Sequence, residues 1–311
     1  MTVTVILLIV LTAQVGPKVD VGIATELTGV GLAGTWLSFM SICFSSASGW
    51  CSMASDYYCN YPENTKPSKI FFLTLFGISI PTIFATGVGV CLGNVAISAS
   101  YLPVNPNEAL TEVYEAHGLG GLLLEAYHPI GFAKFVLVLL VFSVLGNNIA
   151  VNYSSGLSLQ LLGHYFHAIP RFVWSFLNAL VIAVLAISGR EHLSTIVSNF
   201  VSLLGYWTVS FTFILLIEDQ WFRKHSKVVH GYNLNVWDIP DKLPFGASAI
   251  IALLAGYLAG GVTGMSQVWY IGPIALKFGP YGGDVGIFLS GAFTIVTYFP
   301  LRYFEIKRFG R

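Results

Sequence analysis

Long apolar runs alternate along this chain with short polar stretches. The runs cover about residues 27–59, 70–97, 131–162, 172–187, 193–217, 244–262 and 283–301, with a shorter one from Val3 to Val15. A helix crosses a bilayer with about 20 mostly apolar residues, so the pattern predicts seven full spans and one partial one. The partial run has no Lys or Arg ahead of it, which argues against a cleaved signal peptide, and it reads as the last part of a longer helix. The run over 131–162 would extend roughly 48 Å at about 1.5 Å per residue, more than the roughly 30 Å hydrocarbon core. Tilt or protrusion is expected there. Residues 98–129 are expected as a polar insert carrying Glu108, Glu112, Glu115 and Glu125 and no basic residue.

Two runs lose their apolar character half-way. In SFMSICFSSASGWCSMASDYYCNYP, Ser38 to Pro62, small, hydroxylated and helix-weakening residues (Ser45, Ser46, Ser48, Gly49, Trp50, Ser52) stand where a spanning helix should be most apolar. A broken helix is predicted. Irregular backbone in lipid survives only where protein or a water-filled cavity satisfies it, so such breaks line binding sites. Trp50 beside free backbone groups could stack on a planar ligand, a contact worth about 1–3 kcal/mol for a nucleic-acid base on an aromatic ring. The alternative is that the serines pack helix against helix and Trp50 faces lipid.

The second run contains NNIAVNYSSGLS. At about 100° per residue, Asn148, Asn152 and Ser155 share one face, and Asn147, Ser154 and Ser158 form a neighbouring stripe with Val151 between the two. Asparagine offers donor and acceptor together, which suits a neutral heterocycle. The competing reading is that these amides join helices to one another.

Composition sharpens the class. Of 311 residues 55% are hydrophobic and 10% charged, and mean hydropathy is +0.73. This is an integral membrane protein. Zero net charge gives no field for nucleic acid. Cys43, Cys51, Cys59 and Cys91 have no metal or CxxC spacing and read as packed free thiols. The pair in HYFH, His164 and His167, lacks a carboxylate or thiolate neighbour, so no metal is assigned. Gly29, Gly31 and Gly34 spell GxGxxG without a preceding strand and are read as packing glycines. Gly89 and Gly93 are expected to form a GxxxG packing face, with Pro81 as a kink. No catalytic set, phosphate loop or cofactor motif appears within the spans, which points away from an enzyme.

Basic residues set the orientation. Eleven lie on the side of residues 59–69, 163–171, 218–243 and 302–311, and three on the other, with Lys134 inside a span. The C-terminus is therefore expected in the cytoplasm and the acidic insert outside.

Taken together, GWCSMASDYYCNYP, NNIAVNYSSGLSLQLLG, IPRFVW and GMSQVWYIGPIA resemble, in this order, the sixth helix, the eighth, the start of the ninth and the approach to the twelfth of the fungal purine-cytosine permeases. These belong to the nucleobase:cation symporter family. The resemblance covers essentially the whole chain and implies an all-α, LeuT-like five-plus-five inverted-repeat fold in a single transmembrane domain. Residues 1–15 would be the end of a truncated fifth helix, 27–217 the second repeat, 244–301 two further helices and 302–311 a cytoplasmic tail, with the first repeat largely missing. It also implies proton-coupled uptake of cytosine, adenine, guanine or hypoxanthine at the plasma membrane. The partners implied are thus a nucleobase, a proton and the bilayer.

Carried over by motif, Trp50 matches the tryptophan that sandwiches the base, next to Ser48 and Gly49. Asn147 and Asn148 match the paired asparagines of the eighth helix. The family usually continues that pair as Asn-Asn-x-Pro-Asn, whereas here the last two positions are Ala150 and Val151. Val151 thus stands where a base-bonding asparagine is expected, and Asn152 points about 100° away unless the helix unwinds. Uracil, allantoin or thiamine carriers, or a transport-incompetent product, are the alternatives.

Overall fold

The computed structural model describes residues 2–19, 27–62, 64–97, 108–225, 229, 231, 232, 235, 239–279 and 281–310. Seven of the described helices are long and apolar enough to cross a membrane: Gly29–Tyr58, Pro67–Ala96, Ile130–Gln160, Arg171–Gly189, Thr195–Arg223, Ala247–Gly264 and Gly286–Phe309. They coincide with the seven apolar runs. The chain is a multi-pass membrane protein, and its architecture is almost wholly helical. Contacts divide it into two compact units, residues 1–25 with 56–188 and residues 26–55 with 189–311. The segment expected as a second repeat, 27–217, is shared between them.

The first unit holds α1 (Thr2–Val15), α4 (Pro67–Ile97), α5 (Glu108–Ala126), α6 (Ile130–Gln160), α7 (His164–Ala168) and most of α8 (Arg171–Gly189). Its core joins Leu7, Leu11 and Val15 of α1 to Val88, Leu92 and Val95 of α4, Leu122 and Ala126 of α5, and Ala133 and Val136 of α6. Buried Tyr127 donates its hydroxyl to the Leu7 carbonyl at 2.8 Å. Gln14 exchanges two hydrogen bonds with the His128 backbone.

The expected polar insert is therefore corrected in part. From Glu108 to Ala126 it is a helix, kinked where Gly118 takes φ +62°, and its apolar side is core. Residues 98–107 and the Glu108 side chain lie outside the described residues. Among the described residues nothing packs on the GxxxG face: a Cβ at Gly89 or Gly93 would meet nothing within 4 Å. α4 runs on through Pro81.

The second unit starts with α2 (Gly29–Ser48), which tightens into a 3₁₀ turn over Gly49–Met53 and passes into α3 (Ala54–Tyr58). Then follow α9 (Leu193–Ile217), extended as a π-helix over Glu218–Arg223, and α10 (Ala247–Leu254). α10 continues through a π-helix over Ala255–Gly261 into α11 (Val262–Gly264). A two-stranded hairpin, β1 (Ser266–Gln267) and β2 (Tyr270–Ile271), precedes α12 (Gly286–Phe309). Glycine lets α12 and the π-helix approach closely, since a Cβ at Gly260 would lie 2.6 Å from the Leu289 backbone. Tyr206, Val209, Met265 and Ile287 form one core here, and Ile214, Ile217, Phe222, Ala252 and Tyr298 another.

Two expectations about charge change. Residues 302–309, expected as a tail, are helical and continue α12, and Arg311 lies outside the described residues. Arg302, counted as a tail charge, is 1% exposed. Its Nε and Nη2 donate to the two carboxylate oxygens of Glu218, each at 2.9 Å. Glu218 also accepts from Tyr298 at 3.0 Å and Arg223 at 2.9 Å. Glu305 stands 3.5 Å from Arg302 and accepts from the Gly246 and Ser248 N–H groups and the Ser248 hydroxyl. Of the cysteines, all free, Cys59 is exposed and not packed.

Candidate functional site

Along α2, Ser38, Ser41, Ser45 and Ser48 recur at helical spacing and form one hydroxyl-bearing face. That face meets α9. Ser48 shares a 2.8 Å hydrogen bond with Thr208, and Cys51 lies 3.3 Å from the Thr212 hydroxyl. Ser45 sits against Gly205, where a Cβ would stand 1.8 Å from the Ser45 oxygen, so this crossing requires glycine. The packing reading of these serines holds for Ser45 and Ser48.

Beyond Ser48 the sequence stops favouring an α-helix. Gly49 lowers helix propensity, and serine hydroxyls compete for local carbonyls. Ser46 donates to Cys43, Ser48 to Ser45 and Ser52 to Gly49, each three residues back. The predicted break is thus a change of helix type at Gly49–Met53 and not an unwound segment; Gly49 keeps right-handed helical dihedrals. Trp50 lies on this turn, 37% exposed. Its ring stacks on no other aromatic side chain among the described residues.

In the first unit α6 is continuous over Ile130–Gln160. The unwinding that would turn Asn152 into the Val151 direction does not occur, and Asn152 is already engaged. Its side-chain oxygen accepts from Asn178 of α8 at 2.8 Å, which is the interhelical role for this amide. Arg171 lies over the Tyr153 ring at 5.0 Å on the same helix pair. Asn147 and Asn148 are exposed and make no side-chain hydrogen bond among the described residues, while Val151 is half-buried. Tyr57 donates to the Ala150 carbonyl at 2.9 Å. Of the predicted residues, Ser48, Gly49 and Trp50 thus share one turn in the second unit, and Asn147, Asn148, Val151 and Asn152 share one helix in the first.

Sequence reasoning missed Asn178 and the buried carboxylate of Asp284. Asn178 left a signal, being an amide in an otherwise apolar span.

No family model matches the chain, and no solved structure matches it. Among curated proteins, it is 38% identical to the vitamin B6 transporter TPN1 of Saccharomyces cerevisiae, over 89% of this chain and 54% of that protein. It is also 38% identical to the purine-cytosine permease fcyB of Emericella nidulans, over 91% and 54%. Identity to the purine-cytosine permease FCY2 of Saccharomyces cerevisiae is 31%, over 91% and 51%. The chain spans about half the length of the curated relatives it matches. Over nine-tenths of its own length it is a homologue of the fungal purine-cytosine permeases and of the vitamin B6 transporter.

Proposed function

We propose that this chain serves secondary transport of a planar, neutral heterocycle across the plasma membrane: cytosine or a purine such as adenine, guanine or hypoxanthine, carried in symport with a proton. The observation that carries the reading is the turn at Gly49–Met53, which presents an unstacked indole on a membrane-spanning helix. The similarity to purine-cytosine permeases supports it. In this reading Trp50 stacks on the ring, with Ser48 and Gly49 shaping the turn, and Asn147 and Asn148 offer donors and acceptors to its edge. Val151 supplies only apolar contact, and Asn152 acts by holding α6 to α8. The five-plus-five repeat is part of the proposal, as is a cytoplasmic C-terminus. The excess of basic residues that motivates that orientation persists without the ion-paired Arg223 and Arg302.

A second reading is favoured by the 38% identity to a vitamin B6 transporter: the solute is a hydroxylated pyridine. Replacement of an expected ring-bonding asparagine by Val151 fits a ligand with a different hydrogen-bonding edge. The test is uptake of labelled cytosine and, separately, labelled pyridoxine by the protein expressed from its complete gene, in cells lacking endogenous nucleobase and pyridoxine carriers. Competition by adenine and hypoxanthine but not pyridoxine supports the first reading. The reverse pattern supports the second, and no saturable uptake of either class sinks both.

A further inference from the structure

At the start of α12 the second unit buries a carboxylate. Asp284 is 1% exposed and Tyr206, which faces it from α9, is fully buried. Asp284 Oδ2 accepts from the Tyr206 hydroxyl at 2.5 Å and from Gln267 Nε2 at 3.1 Å, and Oδ1 accepts from the Gly286 N–H at 3.0 Å. Gln267 comes from the hairpin and also donates to the Tyr206 oxygen at 3.1 Å. The donors are all neutral. No Lys, Arg or His pairs with Asp284 among the described residues. The titratable group facing it is Tyr206, with Tyr257 next beyond; α2 presents Ser38 and Ser41, and the hairpin Gln267.

Compare two other acids of this unit, part-buried Glu218 and buried Glu305. Glu218 and Glu305 both contact Arg302, so their charge is offset where they lie. Three neutral hydrogen bonds and the N-terminus of α12 favour the charged form of Asp284 but bring no cation to it, so its negative charge is only partly offset in a buried setting, which is costly. One proton balances it. Ionisable groups kept in such settings within membrane proteins serve proton and ion pathways.

The carboxylate is also tied to the helix that carries Trp50. The Asp284 N–H donates to Ser38 of α2 at 2.9 Å. One turn earlier, a Cβ at Gly34 would come within 2.9 Å of the Gly282 carbonyl. The loop holding Asp284 is therefore clamped on α2 at two successive turns. From Ser38 to the 3₁₀ turn is ten residues of continuous helix, roughly 15 Å, so a change at this clamp reaches Trp50 through one rigid element.

We propose that Asp284 is a proton-binding site, and that the proton it takes is the one coupled to solute movement through α2. The second half rests on the transport reading above.

Infrared spectroscopy of the protein purified into lipid nanodiscs tests the first half independently of any solute. Stepping from about pH 9 to about pH 4 should raise a protonated-carboxyl band, reversibly, that is missing in Asp284→Asn. Tyr206→Phe, which keeps the carboxyl but removes a donor to its charged form, should move the midpoint of that band upward by roughly one pH unit. If Asp284→Asn does not accumulate, the Tyr206→Phe shift carries the assignment alone. Absence of a titrating band in the parent, or a midpoint unmoved in Tyr206→Phe, overturns the site. For the second half, uptake should fall as external pH rises in the parent and be flat in Asp284→Asn. A pH dependence retained in Asp284→Asn overturns the coupling while leaving transport standing. A preparation that shows the band but moves no tested solute keeps the proton site and overturns both the coupling and the transport reading.

Discussion

Replacing Arg302 with methionine should be among the most damaging single changes in the second unit. The side chain is 1% exposed and makes two 2.9 Å bonds to Glu218 as well as the contact to Glu305. Removing one partner of a buried ion pair costs about 3–5 kcal/mol, because the other charge stays buried. The lower end applies here. Glu218 keeps Arg223 and the Tyr298 hydroxyl, and Glu305 keeps its three donors from Gly246 and Ser248. A loss of about 3 kcal/mol compares with a total of about 5–15 kcal/mol for a typical domain. At about 2–4 °C per kcal/mol for a body of this size, the apparent Tm should drop roughly 6–12 °C. The assay is the fraction of monodisperse protein left after heating, read by size-exclusion chromatography. Glu218→Gln combined with Arg302→Met should recover part of the loss, because the orphaned charge is gone. A single variant melting within about 2 °C of the parent, or a double variant losing the full sum, would refute the reasoning.

Other predictions follow from the site. Trp50→Ala should weaken solute binding by about 1–3 kcal/mol, and Trp50→Phe by less; unchanged apparent affinity at normal surface abundance sinks the stacking role. Asn152→Ala and Asn178→Ala should each cost stability by about 0.5–1.5 kcal/mol, with a double variant little worse than either, because both break one bond; additive losses in thermal melts would show separate roles. Val151→Asn should tighten cytosine binding by a similar about 0.5–1.5 kcal/mol if its side chain faces the solute, and weaker binding in a calorimetric titration contradicts that. Gly205→Ala should cost about 1–3 kcal/mol by overpacking against Ser45, with Ser45→Gly relieving part of it; a neutral Gly205→Ala would show that α2 and α9 are less closely apposed.

The spans were legible because hydropathy over about 20 residues reports the solvent around a helix, whatever its neighbours do. The disturbance at Gly49 was legible too, since glycine and serine act locally. Its form was not: the turn also packs on Thr208 and Thr212, more than 150 residues away in sequence, and no local pattern shows those contacts. The same limit explains Arg302 and Glu218. In sequence they look like a tail charge and a loop charge, and only the packing of α9 on α12 turns them into a part-buried pair. Asn152 shows how a polar face can be read while one of its bonds stays hidden, because periodicity shows where the amide points but not that Asn178 waits there. The helix at Glu108–Ala126 was hidden by its four glutamates, although Leu110, Val113 and Tyr114 carry helical spacing.

Counterflow in proteoliposomes addresses the central claim most directly. Protein from the complete gene is reconstituted in vesicles loaded with unlabelled cytosine, and entry of trace labelled cytosine is followed. The account predicts transient accumulation above protein-free vesicles, abolished by adenine outside and strongly reduced in Trp50→Ala. Accumulation absent when cytosine, adenine or pyridoxine is in turn the loaded and labelled solute, or identical in Trp50→Ala, would contradict it.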